Sequence, residues 1–383
     1  LRAPGAVCPR TPEDIWEQMK GQQMRPASEA ELSETIRGAT GPLRVVGGGT
    51  RGPGNLPGEV LETGGLAGVR LYEPGALTLV AGAGTPLADV VALLAGERQR
   101  LAFEPPDLRG LMGREGESAI GGVAAANASG PRRVQAGAAR DALIGVRFVT
   151  GRGEVVKNGG RVMKNVTGYD LVKLMAGSRG ALGVMSEVSL KVQAMPEAEA
   201  TLVGEAAGLA VLQAALRTPF DLSGAAMVGG RALLRIEGLA GSVAYRAAAL
   251  KAALGGAWQV VEGGESAAIW REVRDVAAFA GKPGAVWRLV VKPTAAAGIV
   301  SRLGAAGPVD AVYDWGGGLV WLLTEASADV RGAGGGAGHA TLLRALPGMT
   351  GPLLPPEAPA VAALTAGLRA AFDPRGLFAG GDV

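Results

Sequence analysis

A two-domain fold mixing α and β structure is what this sequence predicts, on three observations. The chain has 383 residues, 48% of them hydrophobic, which exceeds the usual size of one domain and suffices for two cores. Its first half alternates short apolar strands with amphipathic helices. Segments crowded with glycine and alanine break into that alternation, and their backbones suit a bound ligand better than a side-chain core.

SEAELSETIRGA places Ser28 at a helix N-cap with Glu31 three residues on, Leu32 and Ile36 on one face, and Gly38 near the end. The strand LRVV follows and opens into a loop with Gly47, Gly48, Gly49, Gly52 and Gly54, within the run Pro42 to Asn55. Without Cβ atoms, successive N–H groups can turn inward on a negative charge, and a phosphate is the expected guest. A glycine-rich turn with no ligand is the plainer alternative. Pro53, Pro57 and Gly58 forbid a helix after this loop, so it is not the dinucleotide fingerprint of a Rossmann domain but a cradle between strands.

ALTLVAGAG reads as the next strand, after which Thr85 is expected to cap a helix with Pro86 in its first position and Leu87, Val90, Val91 and Leu94 on one face. Gly82 and Gly84 before that helix, with Glu104 further on, imitate a ribose-binding pattern; Pro105, Pro106 and the absent third glycine count against it. From Ala119 to Gly130 nearly every residue is small, as a backbone lying against a flat ligand requires. Two such segments in one domain suggest one long cofactor. ALIGVRFVTGRGEVV is then a hairpin turning at Gly151 to Gly153, and KNVTGYDLVKLMAGSRGALGVMSEVSLKV a helix, a glycine turn and a strand. Asp141, Tyr169 and Asp170 are open to either a turn-and-packing role or a site role.

Several classes are excluded. The net charge of +3 is small and dispersed, so no nucleic acid partner is expected. No apolar stretch runs unbroken for about 18 residues. Asp14 and Glu17 interrupt any signal-peptide core, making a cytoplasmic location the expectation. The single cysteine, Cys8, cannot hold an iron–sulfur cluster, and the single histidine, His339, excludes His-rich metal sites. Acid–base work must rest on His339, a carboxylate, a lysine or a tyrosine; His339 itself reads as a structural or surface residue, with a substrate role as the alternative.

The motifs VVGGGTRGPG, ESAIGGVAAANASGPRR, NVTGYDLVKLMAGSRGALGVMSEVSLKV and the terminal FDPRGLF together resemble the FAD-binding oxidoreductases of the vanillyl-alcohol oxidase or PCMH type. KNVTGYDL and FDPRGLF narrow the resemblance to the glycolate oxidase and D-2-hydroxyacid dehydrogenase branch, nearest to the FAD-binding subunits of glycolate oxidase complexes. The resemblance implies an α+β fold: a PCMH-type two-part FAD-binding domain over residues 1–193, a smaller α+β cap domain over 194–337, and a C-terminal segment, 338–383, returning to the FAD domain. It implies that Gly47, Gly48, Gly49, Thr50 and Gly52 hold the FAD pyrophosphate beside Gly82, with Arg51 adding a charge-assisted bond or facing solvent. Ile120, Gly121, Gly122 and Asn127, extended by Ser129 and Gly130, correspond to the loop along the flavin, and Gly180, Gly183 and Val184 to the adenine and ribose end. No His or Cys stands where some relatives tether flavin, so the FAD is expected to be non-covalent.

One departure bears on mechanism. Catalytic members of the branch carry a His-x-Gly-Asp-Gly-Asn-x-His motif that a chain with one histidine cannot contain. The tryptophan-bearing cap region, with Trp258, Trp270, Trp287, Trp315 and Trp321, is expected to supply core and interface anchors rather than chemistry. The resemblance thus implies an accessory or electron-transfer FAD subunit of a glycolate oxidase complex, oxidising glycolate to glyoxylate with a catalytic FAD subunit and an iron–sulfur subunit, peripheral to the inner membrane through these partners. The alternatives are an independent FAD-dependent alcohol or 2-hydroxyacid oxidoreductase using Glu325 or Tyr313 as base, and a flavin-free structural subunit.

Overall fold

The computed structural model describes residues 24–51, 57–160, 168–205 and 208–378. Gly52, Pro53, Cys8, Asp14, Glu17 and the first four residues of KNVTGYDL therefore lie outside the described residues.

Helix α1 (Glu29–Gly38) starts as its sequence requires: the Glu31 amide donates to Ser28 Oγ at 3.2 Å, and Glu31 Oε2 accepts from the Ala27 amide at 2.8 Å. Leu32 and Ile36 are fully buried. Strands β1 (Leu43–Val46) and β2 (Glu59–Glu62) follow one another and pair in parallel, so the glycine segment connects two strands, its residues 52–56 lying outside the described residues. Beside them lies an antiparallel sheet built from β3 (Val69–Glu73), β4 (Thr78–Gly82), β5 (Leu143–Val149), β6 (Val155–Gly159) and β7 (Val184–Lys191), in the order β3-β4-β7-β5-β6. Helices α2 (Leu87–Gly96), α3 (Ile120–Ala125) and α4 (Leu171–Met175) cover it with Val90, Leu94, Ile120, Val123, Val172 and Met175.

One expectation about α2 is corrected. Its N-cap is Pro86, not Thr85. The Thr85 hydroxyl instead donates to the Gly82 carbonyl at 2.6 Å and accepts from the Gly68 amide at 2.9 Å, where it staples the end of β4.

The second part is one eight-stranded antiparallel sheet. Its elements are β8 (Ala198–Glu205), α5 (Ala210–Leu216), β9 (Gly224–Val228), β10 (Arg231–Gly238), α6 (Ala240–Leu254), β11 (Trp258–Glu262), α7 (Gly263–Asp275), β12 (Ala285–Val291), α8 (Pro293–Ala306), β13 (Val309–Asp314), β14 (Leu319–Thr324), α9 (Val330–Gly334) and β15 (Gly338–Arg344). The strand order is β11-β8-β10-β9-β13-β14-β12-β15. Side chains alternate between the two faces, as strand geometry demands. Trp287 and Leu289 of β12 point to the face covered by α5, α6, α8 and α9, while Val286 and Val290 point to the other. That other face meets the first part of the chain, where Leu108 and Leu111 pack with Val286, Val312, Trp315 and Trp321.

Because β15 is the edge strand of this sheet, residues 338–344 lie with the second part; the return of the chain comes later than the expected boundary at 338. After α10 (Pro359–Phe372), Phe372 packs on Phe148, the Leu43 amide donates to the Leu377 carbonyl at 2.6 Å, and Leu377 and Phe378 are buried with Leu32 and Leu61.

Candidate cofactor and anion site

The glycine segments that lie far apart in sequence meet in space. Arg51 Nη2 donates to Ser118 Oγ at 2.9 Å and Arg114 Nη1 donates to the Gly49 carbonyl at 3.0 Å, which lays the 47–51 loop along residues 114–118. The end of β4 joins them: the Ile120 amide bonds the Thr85 carbonyl at 2.9 Å, and the Gly121 amide bonds the Ala83 carbonyl at 2.8 Å. The turn after α4 docks on the same segment through Gly177 to Ala124 and Arg179 to Ala125. Gly180 faces Val45 of β1.

The individual glycines divide into two groups. A Cβ on Gly48 would sit 1.3 Å from the Glu117 carbonyl oxygen, on Gly82 2.1 Å from that of Leu66, on Gly121 2.7 Å from that of Ala83, and on Gly130 2.3 Å from that of Glu104. These four are required by backbone packed on backbone. At Gly49 and Gly122 a Cβ would meet nothing within 4 Å, so the space beside them is open. Gly47 is close to open, its nearest neighbour being Ala119 Cβ at 3.3 Å. Gly183 has a φ of +148° and a Cβ there would approach the Val149 carbonyl at 2.7 Å.

Several side chains expected at the site are turned elsewhere. Ile120 and Val184 are fully buried in the cores, so only their backbones can face a ligand. Asn127 Oδ1 accepts from the Arg140 amide at 2.9 Å and Ser129 Oγ from the Ala139 amide at 2.9 Å; both brace the turn after α3. Thr50 is buried in the loop itself. Asp141 caps a short turn by accepting from the Ala138 amide and Asp170 caps α4, a turn role for both, whereas the Tyr169 side chain is exposed and packs in neither core.

Arg51 is the side chain that asks for a ligand. Its Nε and Nη1 are buried with no hydrogen-bond partner. Burial pulls its pKa down to about 10, against the attraction of Asp107 and Asp275, so it stays charged at neutral pH. Buried donors are almost always satisfied. A cation with two idle donors beside the open space at Gly49 fits a phosphate-bearing cofactor, and the residues present therefore fit FAD.

Sequence reasoning missed a second group. Trp315, between β13 and β14, donates from Nε1 to the Gly130 carbonyl at 3.0 Å and carries Arg133 at 4.6 Å and Arg288 at 5.4 Å over its ring. Arg288 was legible as the one charge inside the apolar run AVWRLVV. Next to Trp315, Asp314 is 2% exposed and accepts from the Trp315 amide at 2.7 Å. Burial pushes its carboxyl up to about 7, with the Trp315 amide opposing. A folded-state pKa above the unfolded one means that this group's contribution to stability falls as pH rises from about 4 to 7 and is level above. Asp314→Asn keeps the acceptor and removes the charge. It is expected to be more stable than the parent at about pH 8, on the order of 2 kcal/mol, and equal to it near pH 4, as read by urea unfolding at both pH values.

Comparison with known proteins bears on this geometry. The FAD binding domain family matches residues 22–159, from the approach to α1 through β6. The glycolate oxidase subunit GlcE of Escherichia coli (strain K12) is 35% identical over 314 residues, covering 79% of this chain and 81% of that subunit. The glycolate oxidase subunit GlcD of Bacillus subtilis (strain 168) is 38% identical over 101 residues, 26% of this chain and 21% of that subunit. Among solved structures, alkyldihydroxyacetonephosphate synthase matches with a TM-score of 0.65 over 94% of this chain and 76% of its own, at 14% identity, a likeness of fold. The fold is the α+β architecture of PCMH-type FAD enzymes, the cofactor is FAD, and the chain is an oxidoreductase component. At that identity and coverage, the chain belongs to the family of the glycolate oxidase subunit GlcE.

Proposed function

We propose that this chain is an FAD-holding subunit of a glycolate-oxidising complex, working beside a catalytic FAD subunit and an iron–sulfur subunit. The observation that carries the reading is the buried, half-satisfied Arg51 among the converging glycine loops. Residues 1–193 form its FAD domain and residues from 194 through β15 its cap, the chain end closing back on the FAD domain. In this reading Arg51 and the amides of Gly47 to Thr50 hold phosphate, Gly122 leaves room for the cofactor, and the turn Gly177 to Gly183 bounds the far end. The described loop residues include no His or Cys, which supports non-covalent binding. When bound, FAD supplies a two-electron acceptor for hydride. The chain's own part is to bind, orient and shield it.

The independent-oxidase reading is less well supported. Tyr313 packs among the side chains covered by α5 and α8, away from the first part of the chain. Glu325 follows Thr324, which pairs with Ala285 at the end of β12 remote from Val290 and His339. No helix among the described residues is long and apolar enough to cross a membrane.

The purified full chain, incubated with FAD and desalted, is expected to retain flavin absorption that acid or heat releases into solution. Anaerobic glycolate should leave the bands unbleached until the partner subunits are added. A protein that takes up no FAD would sink the cofactor role, and bleaching of the isolated chain by glycolate would make it a catalyst in its own right.

A further inference from the structure

Helix α10 is apolar along its length and buries none of it: no residue between Pro359 and Phe372 is buried. Thr365, Arg369 and Phe372, spaced i, i+4 and i+7, are half-buried, so one edge of the helix touches the rest of the chain and the remaining circumference stands in solvent. Val361, Leu364 and Leu368 form a stripe beside that edge and are 50%, 70% and 37% exposed. Most of the other positions are alanine, and Arg369 is the one charged residue in the helix. A helix that is apolar nearly all round normally lies in a core.

Local chemistry explains why the helix forms without such packing, since alanine has the highest helix propensity and Pro359 suits the first turn. The chain is also anchored on either side of it. Ahead of the helix, Arg331 Nη2 donates to the Pro352 and Leu353 carbonyls at 2.8 and 2.9 Å, and the Leu342 amide of β15 bonds the Leu353 carbonyl at 2.8 Å. Behind it, the Gly151 amide bonds the Phe372 carbonyl at 2.9 Å and the Phe378 amide bonds Asp373 Oδ2 at 2.8 Å. The first anchor belongs to the larger sheet and the second to the smaller one. The direction of the helix is therefore set before any partner arrives, which lowers the ordering cost of docking.

Charge and area select the occupant. The stripe carries no cation for anionic headgroups, and the helix has no strongly polar face, so it does not suit a membrane surface. The helix has 14 residues and is about 21 Å long and about 10 Å across. Two such helices lying side by side, as a second copy of this chain would place them, would bury at most roughly 800 Å², short of the about 1,200 Å² of a stable interface. A groove taking in roughly three-quarters of the circumference would reach that area. We propose that α10 is a docking helix, inserted into an uncharged apolar groove of a partner subunit of the glycolate-oxidising complex. Val361, Leu364 and Leu368 are its anchors, and the alanines let the groove walls close on the backbone. The inference rests on the reading of this chain as one subunit of such a complex.

The test is co-expression of the full chain with the partner subunits, followed by size-exclusion chromatography and titration of the purified chain into the remaining subunits. Leu364→Lys is expected to weaken assembly by roughly tenfold or more, with FAD uptake and melting temperature unchanged because the side chain it replaces is exposed. Leu368→Glu should act in the same direction. Leu239→Lys, at a leucine that is also 70% exposed but precedes α6, should assemble like the parent. Assembly of Leu364→Lys at parental affinity overturns the docking helix and leaves the subunit reading standing. A parent chain that joins no complex overturns the subunit reading and the inference with it. Self-association of the isolated parent, dispersed by Leu364→Lys, would make a second copy the occupant and overturn the partner groove, as would binding of the isolated parent, but not of Leu364→Lys, to phosphatidylglycerol vesicles.

Discussion

Arg235→Ala is expected to cost the folded protein about 3–5 kcal/mol, the largest loss for any single side chain between the two parts of the chain. Arg235 is 1% exposed in the middle of β10. Its Nη1 and Nη2 donate to the two Glu104 oxygens at 2.8 and 2.7 Å, its Nε donates to Ser223 Oγ at 3.1 Å, and its guanidinium lies 4.5 Å over the Trp270 ring. Truncation removes all four contacts at once and leaves Glu104 with Arg132, whose amide donates at 2.8 Å and whose Nη2 lies at 3.2 Å. The same change weakens the join between the two parts, which then rests on the Arg100 and Arg132 pairs with Glu237, the Trp315 to Gly130 hydrogen bond and the packing of Leu108 and Leu111, so a second and earlier unfolding step is expected in urea. A loss below about 1 kcal/mol with a single unchanged transition would show that packing, not this network, joins the two parts.

The network also sets an acid limit. Burial alone would raise the carboxyls of Glu104 and Glu237, but Arg235 and Arg132 outweigh it and bring both to about 2. A folded pKa below the unfolded one means stability that is fully present above about pH 4.5 and is lost as pH falls toward 2. In Arg235→Ala this acid-dependent loss should shrink, because part of what protonation destroys is already gone.

The sequence disclosed the first part of the chain far better than the second, for a physical reason. Where local chemistry dictates conformation, as in the Ser28 and Glu31 cap and the hairpin at Gly151 to Gly153, the order of residues was enough. Thr85 misled because its hydroxyl bonds the Gly82 carbonyl and the Gly68 amide at the end of β4 rather than the amides of the helix beginning beside it. The glycines were legible as a group but not by role: nothing in the string VVGGG distinguishes Gly48, pressed on Glu117, from Gly49 beside open space. His339 illustrates the limit in the other direction. Its strand joins the larger sheet through pairing with β12, some fifty residues earlier, and only that register sets it beside Arg288. Burial and the positive charges of Arg179, Arg288 and Arg331 lower its pKa, leaving it neutral at pH 7. Arg133 and Arg288, brought together on the Trp315 ring, have no local signature at all.

Gly48→Ala should abolish stable FAD binding, weakening it by about 100-fold or more, while Gly122→Ala should weaken it without harming the cofactor-free fold. At Gly48 the added methyl would stand 1.3 Å from the Glu117 carbonyl oxygen and 2.4 Å from its carbon, both backbone atoms that no rotamer change can move. The 47–51 loop must then lift from residues 114–118, breaking the Arg51 to Ser118 and Arg114 to Gly49 hydrogen bonds and withdrawing the Arg51 guanidinium from the phosphate seat. Melting temperature and FAD affinity should fall together. Gly122 lies inside α3 with no heavy atom within 4 Å of a would-be Cβ, so alanine there adds helix propensity of roughly 0.5–1 kcal/mol and meets only what occupies the open space. If that occupant is FAD, the two measurements move in opposite directions, the melting temperature of the free chain rising as FAD fluorescence titration shows weaker binding. If Gly122→Ala binds FAD as well as the parent, the cofactor does not run past α3, and the seat must be confined to the first loop and Arg51.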